Sequence, residues 1–166
     1  LGSSSTFTNA LILGLNKLNG INLDSEQLAQ ASCNLEINVL NEPIGKQDQY
    51  ISSYGGIREF TFKKDGRVEQ KLIYENTRDV EELEENLVLV FTGKTRSASK
   101  ILKDQKEKSE NTDVEMIENL KKTKKIGLLS KKLLLNKEFR EYGKLMHEHW
   151  LNKKKRSPGM SNKQID

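Results

Sequence analysis

Two short stretches of this 166-residue sequence combine residue types that could bind and transfer phosphate. The first is Leu1-Gly2-Ser3-Ser4-Ser5, which leads directly into a stretch of helical apolar periodicity. The first turn of a helix offers unpaired N–H groups and partial positive charge, and glycine lets the backbone approach an anion. Serine hydroxyls can also contact phosphate oxygens or Mg²⁺. The remnant of a purification tag, or plain helix capping, remains the alternative explanation.

The second stretch is GKQDQY at residues 45–50, where a carboxylate follows a loop that contains Pro43 and Gly45. Asp48 lies between two glutamines and close to Lys46, so neighbouring amides could hold it toward a substrate hydroxyl. The alternative is a carboxylate placed at a helix start because the helix dipole favours it. A general base needs this kind of positioned carboxylate.

Three helices must position these groups. Apolar spacing predicts a helix from Ser5 to about Leu18, which Asn19-Gly20 ends. Asp24 is the expected N-cap of a second helix, with Gln27 at the capping-box position. A short helix is expected from Gln47 to Tyr54, where Gly55-Gly56 stops it.

The remaining chain changes from strand patterns to helix patterns. Alternation on either side of Lys-Asp-Gly-Arg at 64–67 predicts a hairpin, and glutamates at 81–85 predict a polar connection. NLVLVFTG at 86–93 predicts a strand buried on both faces. Helices are then expected at about 96–108, 113–129 and 136–154, with a breaker at 157–159 and a further helix starting at SNKQID. This order of elements predicts an α+β protein.

Composition narrows the class of protein. One cysteine, Cys33, allows no intrachain disulfide, so a reducing compartment is expected. No run of 18 apolar residues and no basic signal-peptide start occur, so we expect a cytoplasmic protein without membrane partners. Residues 1–99 carry 10 basic and 14 acidic side chains, whereas residues 100–166 carry 18 and 10. The basic half fits either a nucleic-acid-binding module or a solvated helical face, and its interspersed acids and missing aromatic platform favour the latter.

Together the two stretches resemble the GHMP kinases, the family of galactokinase, homoserine kinase, mevalonate kinase and phosphomevalonate kinase. Leu1–Ser5 is similar to the family's Gly-Leu-Gly-Ser-Ser-Ala motif, without its leading glycine and with serine for the final alanine. Gly45–Asp48 is similar to the Gly-x-x-Asp context of the family's catalytic aspartate. Three segments resemble the D-glycero-D-manno-heptose 7-phosphate kinase branch in the right order: NVLNEPIGKQDQYISSYGG, FTGKTRSASKIL and HEHWLNKKKRSPGMSNKQID.

The resemblance implies a role for each matching residue. The Gly2–Ser5 backbone would hold the phosphates of ATP, and Ser4 would contact Mg²⁺ and the terminal phosphates. Glu36 would be a second Mg²⁺ ligand, with an ordinary surface glutamate as the alternative. Asp48 would accept the proton of the sugar's anomeric hydroxyl, and Lys46 would offset charge or be a solvated loop lysine.

Further residues would bind the sugar. Tyr54-Gly55-Gly56 resembles a stretch that lines the sugar site of this branch, with a core tyrosine as the alternative. Four cations lie in branch-like segments: Arg96, Lys153, Lys154 and Arg156. Of these, Lys153 and Arg156 are the expected ligands of the sugar's distal phosphate, although a solvated helix end also explains them.

The implied protein is an ATP-dependent kinase that phosphorylates the anomeric hydroxyl of heptose 7-phosphate and feeds surface polysaccharide synthesis. A galactose- or fucose-type acceptor is the alternative within the family. The resemblance divides the chain into an N-terminal kinase domain at residues 1–86, with a ribosomal-S5-like fold, and the start of a helical, ferredoxin-like C-terminal domain at 87–166. It also implies that further strands precede Leu1, that a glycine-rich motif follows Asp166 and that this piece alone is inactive. A homodimer stays open.

Overall fold

The structure is a computed structural model that describes residues 2–93, 98–111, 113–157 and 160–162. It divides into two compact units, Leu1–Leu72 and Ile73–Asp166. Helices and one antiparallel β-hairpin occur in the same chain, so the predicted α+β class is confirmed. The unit boundary precedes the predicted domain boundary between residues 86 and 87, which stays a prediction.

In the first unit, three α-helices pack against one another and a hairpin follows. Asp24 accepts a hydrogen bond from the Gln27 N–H while the Gln27 side chain accepts one from the Asp24 N–H, which confirms the predicted capping box. The elements are α1 (Ser3–Leu18), α2 (Ser25–Cys33), a π-helix (Asn34–Val39), α3 (Gln47–Tyr54), β1 (Arg58–Phe62) and β2 (Val68–Leu72).

The hairpin pairs Phe60 with Gln70 and Phe62 with Val68, so the predicted turn at 64–67 is confirmed. Phe60 packs edge-on against Tyr50 of α3, and both rings contact a small apolar core on α2. This contact ties the hairpin to the helices that carry the candidate site.

In the second unit, α6 and α7 pack through Ile126, Leu133 and Leu145. The Tyr74 hydroxyl donates to the Leu134 carbonyl oxygen at 2.6 Å and ties the start of the unit to α6. Asp113 caps α6, which begins close to the predicted start at 113 and runs to Leu135, beyond the predicted end at 129. The elements are α4 (Thr77–Glu84), α5 (Ala98–Glu110), α6 (Val114–Leu135) and α7 (Phe139–Lys154).

Two sequence-based predictions are wrong in this unit. The expected polar connection at 81–85 falls largely within α4, because the Asn76 side chain caps that helix by accepting the Asp79 N–H. The expected buried strand is irregular and exposed from 87 to 93, with Leu89 89% exposed. An apolar run becomes a strand only when another strand completes its hydrogen bonds. Among the described residues, β1 and β2 pair with each other and no strand pairs with residues 86–93.

Several predicted features lie outside the described residues. They are Arg96, the Pro158-Gly159 breaker and residues 163–166 of the SNKQID segment (161–166), where a further helix is expected to start. The helix expected at 96–108 is described from Ala98, and it runs to Glu110.

Candidate active site

The N-terminus of α1 is open to solvent. Gly2 adopts a left-handed conformation with φ 59° as the N-cap, and the first intrahelical bond runs from the Thr6 N–H to the Gly2 carbonyl oxygen at 3.0 Å. The N–H groups of the three serines therefore precede the helical ladder. Ser3 and Ser4 are exposed, and the first turn contains no acidic side chain. This end of α1 suits an anion electrostatically.

Asp48 lies in the first turn of α3, with Lys46 as the N-cap. Its carboxyl group is exposed and lies close to Gly2. Glycine has no Cβ, but one added at residue 2 would lie 3.8 Å from the Asp48 Cγ. A larger side chain at position 2 would occupy this space. The two sequence stretches therefore meet, although 45 residues lie between Gly2 and Asp48 in the chain.

A buried polar cluster lies behind this contact. It comprises Ser5, Asn9, Ser32, Glu36 and Gln49, and every member is at most 4% exposed. The Asn9 amide donates to the Gln49 carbonyl oxygen at 3.1 Å and to Ser53 Oγ at 2.8 Å, while Ser32 Oγ donates to Asn9 Oδ1. These bonds join α1, α2 and α3, so directional contacts set the spacing of the helices.

Glu36 accepts three hydrogen bonds in this cluster. Ser5 Oγ donates to Oε2 at 2.9 Å, Thr8 Oγ1 donates to Oε1 at 2.8 Å, and the Gln49 side-chain amide donates to Oε2. Such a carboxylate does not fit the predicted role of a Mg²⁺ ligand, because a metal would have to displace these donors. Among the residues that the structure describes, no three His, Cys, Asp or Glu side chains form a possible metal site.

Other predicted residues around Asp48 have different neighbours. Ser5 is buried and its hydroxyl donates to Glu36, so only its backbone N–H is left for a phosphate. The exposed Lys46 donates from Nζ to the Gly66 carbonyl oxygen in the hairpin turn at 3.3 Å. Its ammonium group therefore contacts the hairpin.

Tyr54 and the two glycines form the exit from α3. The Tyr54 hydroxyl donates to Glu26 at 2.9 Å, its ring stacks on Tyr50, and burial raises its pKa. Gly55 and Gly56 both have positive φ, and a Cβ on Gly56 would lie 3.1 Å from Leu72 Cδ1. Their backbone conformation thus requires glycine for structural reasons, and the predicted sugar-binding role stays a prediction.

Glu26 of α2 binds the two tyrosines of α3, Tyr50 and Tyr54, through hydrogen bonds. Its carboxylate accepts hydrogen bonds from Tyr50 at 2.7 Å and from Tyr54 at 2.9 Å. Burial acts to raise the pKa of Glu26, but hydrogen bonds from Tyr50, Gln30 and Tyr54 hold this pKa below its ordinary value. Cys33, next to this group, is buried and its pKa rises to about 11, mainly by desolvation. It therefore stays a thiol at neutral pH, as expected of a core cysteine.

Lys153 and Arg156 belong to the second unit. The half-buried Arg156 guanidinium donates to Asn119 Oδ1 at 2.8 Å and to Thr123 Oγ1, both uncharged acceptors. It lines a cavity of about 570 Å³ together with Lys108 and Lys155. Desolvation lowers the pKa of Arg156, which nevertheless remains charged.

Many lysines of the basic half pair with acids on their own helices. Lys121 pairs with Glu118 at 2.7 Å and Lys144 with Glu141 at 2.7 Å. This pairing is typical of a solvated helical face. No helix in the described part of the chain is both long and apolar enough to cross a membrane.

Sequence reasoning missed three residues of the cluster, Asn9, Ser32 and Gln49, and also Thr8, which donates to Glu36 from its edge. A signal was present, because Ser5, Thr8 and Asn9 recur at helical spacing and mark one polar face of α1. The apolar residues of α1 recur at helical spacing and predict a buried apolar face, yet Phe7 is 70% and Leu18 85% exposed. The polar face of α1 is the one that packs.

Comparisons with known proteins indicate one family. Residues 1–56 match the family model of the GHMP kinases N terminal domain. This part of the chain is therefore similar to the N-terminal domain of the GHMP kinases, and the resemblance predicted from the sequence is confirmed. The match includes Gly2, Glu36 and Asp48.

Two curated relatives align with the whole chain. A bifunctional fucokinase/GDP-fucose pyrophosphorylase from Arabidopsis thaliana is 28% identical over 169 residues, and the chain spans 16% of that protein. A D-glycero-alpha-D-manno-heptose 7-phosphate kinase from Campylobacter jejuni subsp. jejuni serotype O:2 is 26% identical over 166 residues, and the chain spans 48% of it. The two identities are too similar to decide between these relatives.

Proposed function

We propose that the protein is an ATP-dependent sugar kinase that phosphorylates the anomeric hydroxyl of D-glycero-D-manno-heptose 7-phosphate. The observation that carries the proposal is the position of the exposed Asp48 carboxyl group close to Gly2 at the open end of α1. An anion-binding helix end beside a carboxylate is what phosphoryl transfer to a hydroxyl requires.

The roles follow from the position of each group. The N–H groups of Ser3, Ser4 and Ser5 would bind the ATP phosphates, and Gly2 leaves room for them. Asp48 would orient the sugar hydroxyl and take its proton. The hydroxyl oxygen forms the new bond to the γ-phosphorus while the bond to the β–γ bridging oxygen breaks, and ADP leaves.

Mg²⁺ would arrive with ATP as part of the substrate. When bound, it offsets the charge on the β- and γ-phosphates. The exposed hydroxyl of Ser4 is the protein group that we propose beside it. Lys46 would require a change of side-chain rotamer to leave Gly66 and reach the transferred group.

For the distal phosphate we propose Lys153 and Arg156. Arg156 supports this choice because its guanidinium donates to the neutral acceptors Asn119 and Thr123, while the acids of the same cavity, Asp113, Glu115 and Glu118, are not its hydrogen-bond partners among the described contacts. A guanidinium lining a cavity is a suitable phosphate ligand. We propose Tyr54, Gly55 and Gly56 for the sugar itself only on the family resemblance.

A neutral sugar of the fucose type is the second candidate acceptor, which the Arabidopsis relative favours. The test is ADP release with MgATP by the protein expressed from its intact reading frame. The acceptors are heptose 7-phosphate, fucose, galactose and mevalonate. Turnover on the heptose phosphate alone supports the proposal, whereas turnover on a neutral sugar alone overturns the acceptor and the roles of Lys153 and Arg156.

Asp48→Asn, run in parallel, tests the base. We expect a loss of about 10²–10⁴-fold in kcat, the range for general base catalysis. Glu75→Gln, which changes an exposed carboxylate of the second unit, is the matched control. Full activity of Asp48→Asn would contradict the assignment of the base, and absence of turnover on every acceptor would contradict the kinase itself.

A further inference from the structure

The Glu36 carboxylate connects the two helices that carry the proposed site. Ser5 and Thr8, two of its donors, lie one turn apart on α1, and the third donor, Gln49, lies on α3. Ser5 is in the first turn of the helix that Gly2 caps, and Gln49 directly follows Asp48. A single buried anion therefore holds the N-termini of α1 and α3 together.

All three donors to Glu36 are neutral, and the side chain is 4% exposed. A buried carboxylate is tolerated only when hydrogen bonds replace its hydration. Here three donors do so, and bonds to a charged acceptor are shorter and stronger than neutral ones. The arrangement is accordingly stiff.

The orientation of Gln49 supports the same conclusion. Its side chain is fully buried, and its Oε1 has no hydrogen-bond partner among the described residues. Rotating the amide would direct this oxygen at the Glu36 carboxylate, so the carboxylate fixes the amide through its N–H. The Gln49 backbone is held as well, because its carbonyl oxygen accepts from Asn9.

The backbone around Glu36 is unusual. Helix α2 continues as a π-helix, with the Leu40 N–H bonded to the Leu35 carbonyl oxygen at 2.9 Å. Such segments are rare and occur frequently at functional sites. In this chain the segment carries Glu36 into contact with both α1 and α3.

We propose that Glu36 is a positioning residue that sets the distance between the phosphate-binding end of α1 and Asp48, and that it is not a metal ligand. This inference rests on the proposed kinase function for its catalytic consequence. The separation of the two helix ends is itself a property of the protein without nucleotide, so it can be tested separately.

The activity test uses Glu36→Gln in the protein from the intact reading frame. We expect kcat to fall about 10²-fold, the effect of misplacing a catalytic group by about an ångström. The KM values for ATP and sugar, and the Mg²⁺ concentration for half-maximal activity, should change less than about threefold, since Glu36 contacts neither substrate nor metal. The exposed Glu75→Gln should match the wild type in every measurement.

A milder variant protects the test against misfolding, and a double variant tests whether Ser5 acts through Glu36. Thr8→Val removes one donor, and we expect a smaller fall in kcat at unchanged Mg²⁺ requirement. Ser5→Ala combined with Glu36→Gln should be no worse than Glu36→Gln alone, because the two residues act through one hydrogen bond. A Mg²⁺ requirement raised tenfold or more in Glu36→Gln would establish a metal ligand and overturn the proposal. So would unchanged kcat, which would leave Glu36 a merely structural residue.

An NMR comparison without nucleotide separates this proposal from the kinase function. In Glu36→Gln the amide resonances of Ser3, Ser4 and Asp48 should shift together, whereas Mg²⁺ alone should leave them unchanged in the wild type. If the wild type phosphorylates no acceptor but these shifts occur, the kinase proposal fails and the coupling of the helix ends stands. If the resonances do not respond to Glu36→Gln, the positioning proposal is overturned whatever the activity.

Discussion

Two helix contacts in this protein differ in the share of apolar and polar burial. In the first unit, α1 meets α2 and α3 through the buried polar cluster, in which the Asn9 amide donates to groups on two turns of α3. In the second unit, α6 and α7 pack through Ile126, Leu133 and Leu145, and buried hydrogen bonds between Asn119 and Asn152 add a smaller polar part. The candidate site lies on the polar contact.

The two contacts differ in how precisely they fix the position of the helices and in how well they tolerate substitution. Apolar burial is proportional to area and has no direction, so side chains can repack when one is changed. Hydrogen bonds have length and angle requirements, and a buried polar group that loses its partner is costly. A polar contact therefore defines one arrangement of α1 and α3, which would suit the proposed phosphate-binding end of α1 and Asp48.

The largest effect on stability is expected at the apolar contact. Leu133→Ala should lower the free energy of unfolding by about 2–5 kcal/mol, because it removes buried methyl groups and leaves a cavity. Urea unfolding followed by the fluorescence of Trp150, the single tryptophan, measures it. Leu128→Ala, at a 59% exposed position of the same helix, should change stability by less than about 0.5 kcal/mol. Equal effects of the two variants would contradict the packing described for α6 and α7.

The helices and caps of the first unit could be predicted because their signals are local. The capping box of Asp24 and Gln27, and the glycines that end α3, are visible within four residues. The buried polar cluster could not be predicted in this way, because Glu36 finds its donors 31, 28 and 13 residues away along the chain. Which apolar runs are covered also depends on distant partners, so the exposure of Leu89 was missed.

A smaller but more specific effect is expected at Asn9. Asn9→Ala should cost about 1–3 kcal/mol, since Ser32 and the Gln49 carbonyl group lose a buried partner. Asn9→Leu restores the volume but not the hydrogen bonds, so it should be no more stable than Asn9→Ala. Amide hydrogen exchange in α1 and α3 measures the local loss.

Asn38→Ala is the matched control for Asn9, because Asn38 is exposed and, among the described residues, its amide donates to Asn34 at the surface. It should leave exchange in α1 and α3 within about 0.5 kcal/mol of the wild type. If Asn9→Leu proved as stable as the wild type, apolar packing would serve equally well there, and the contrast between the two contacts would disappear.

The smallest effect is expected from the two hydrogen bonds that Glu26 accepts from Tyr50 and Tyr54, here called the Glu26 clamp. These tyrosines lie on α3, next to the polar cluster. Because the folded pKa of Glu26 lies below its ordinary value of 4.5, the clamp stabilises the fold above that value and is lost as pH falls through the folded pKa. Glu26→Gln should therefore be less stable than the wild type at pH 7 by about 0.5–1 kcal/mol, a small figure because the carboxylate is only half-buried. Urea midpoints at pH 7 and below the folded pKa should show this gap closing, with Tyr54→Phe intermediate because Tyr50 still donates. A stability difference between wild type and Glu26→Gln that stays constant with pH would mean that Glu26 acts by packing alone. The geometry of the polar contact would then depend on Asn9 and Glu36, without a contribution from the tyrosines of α3.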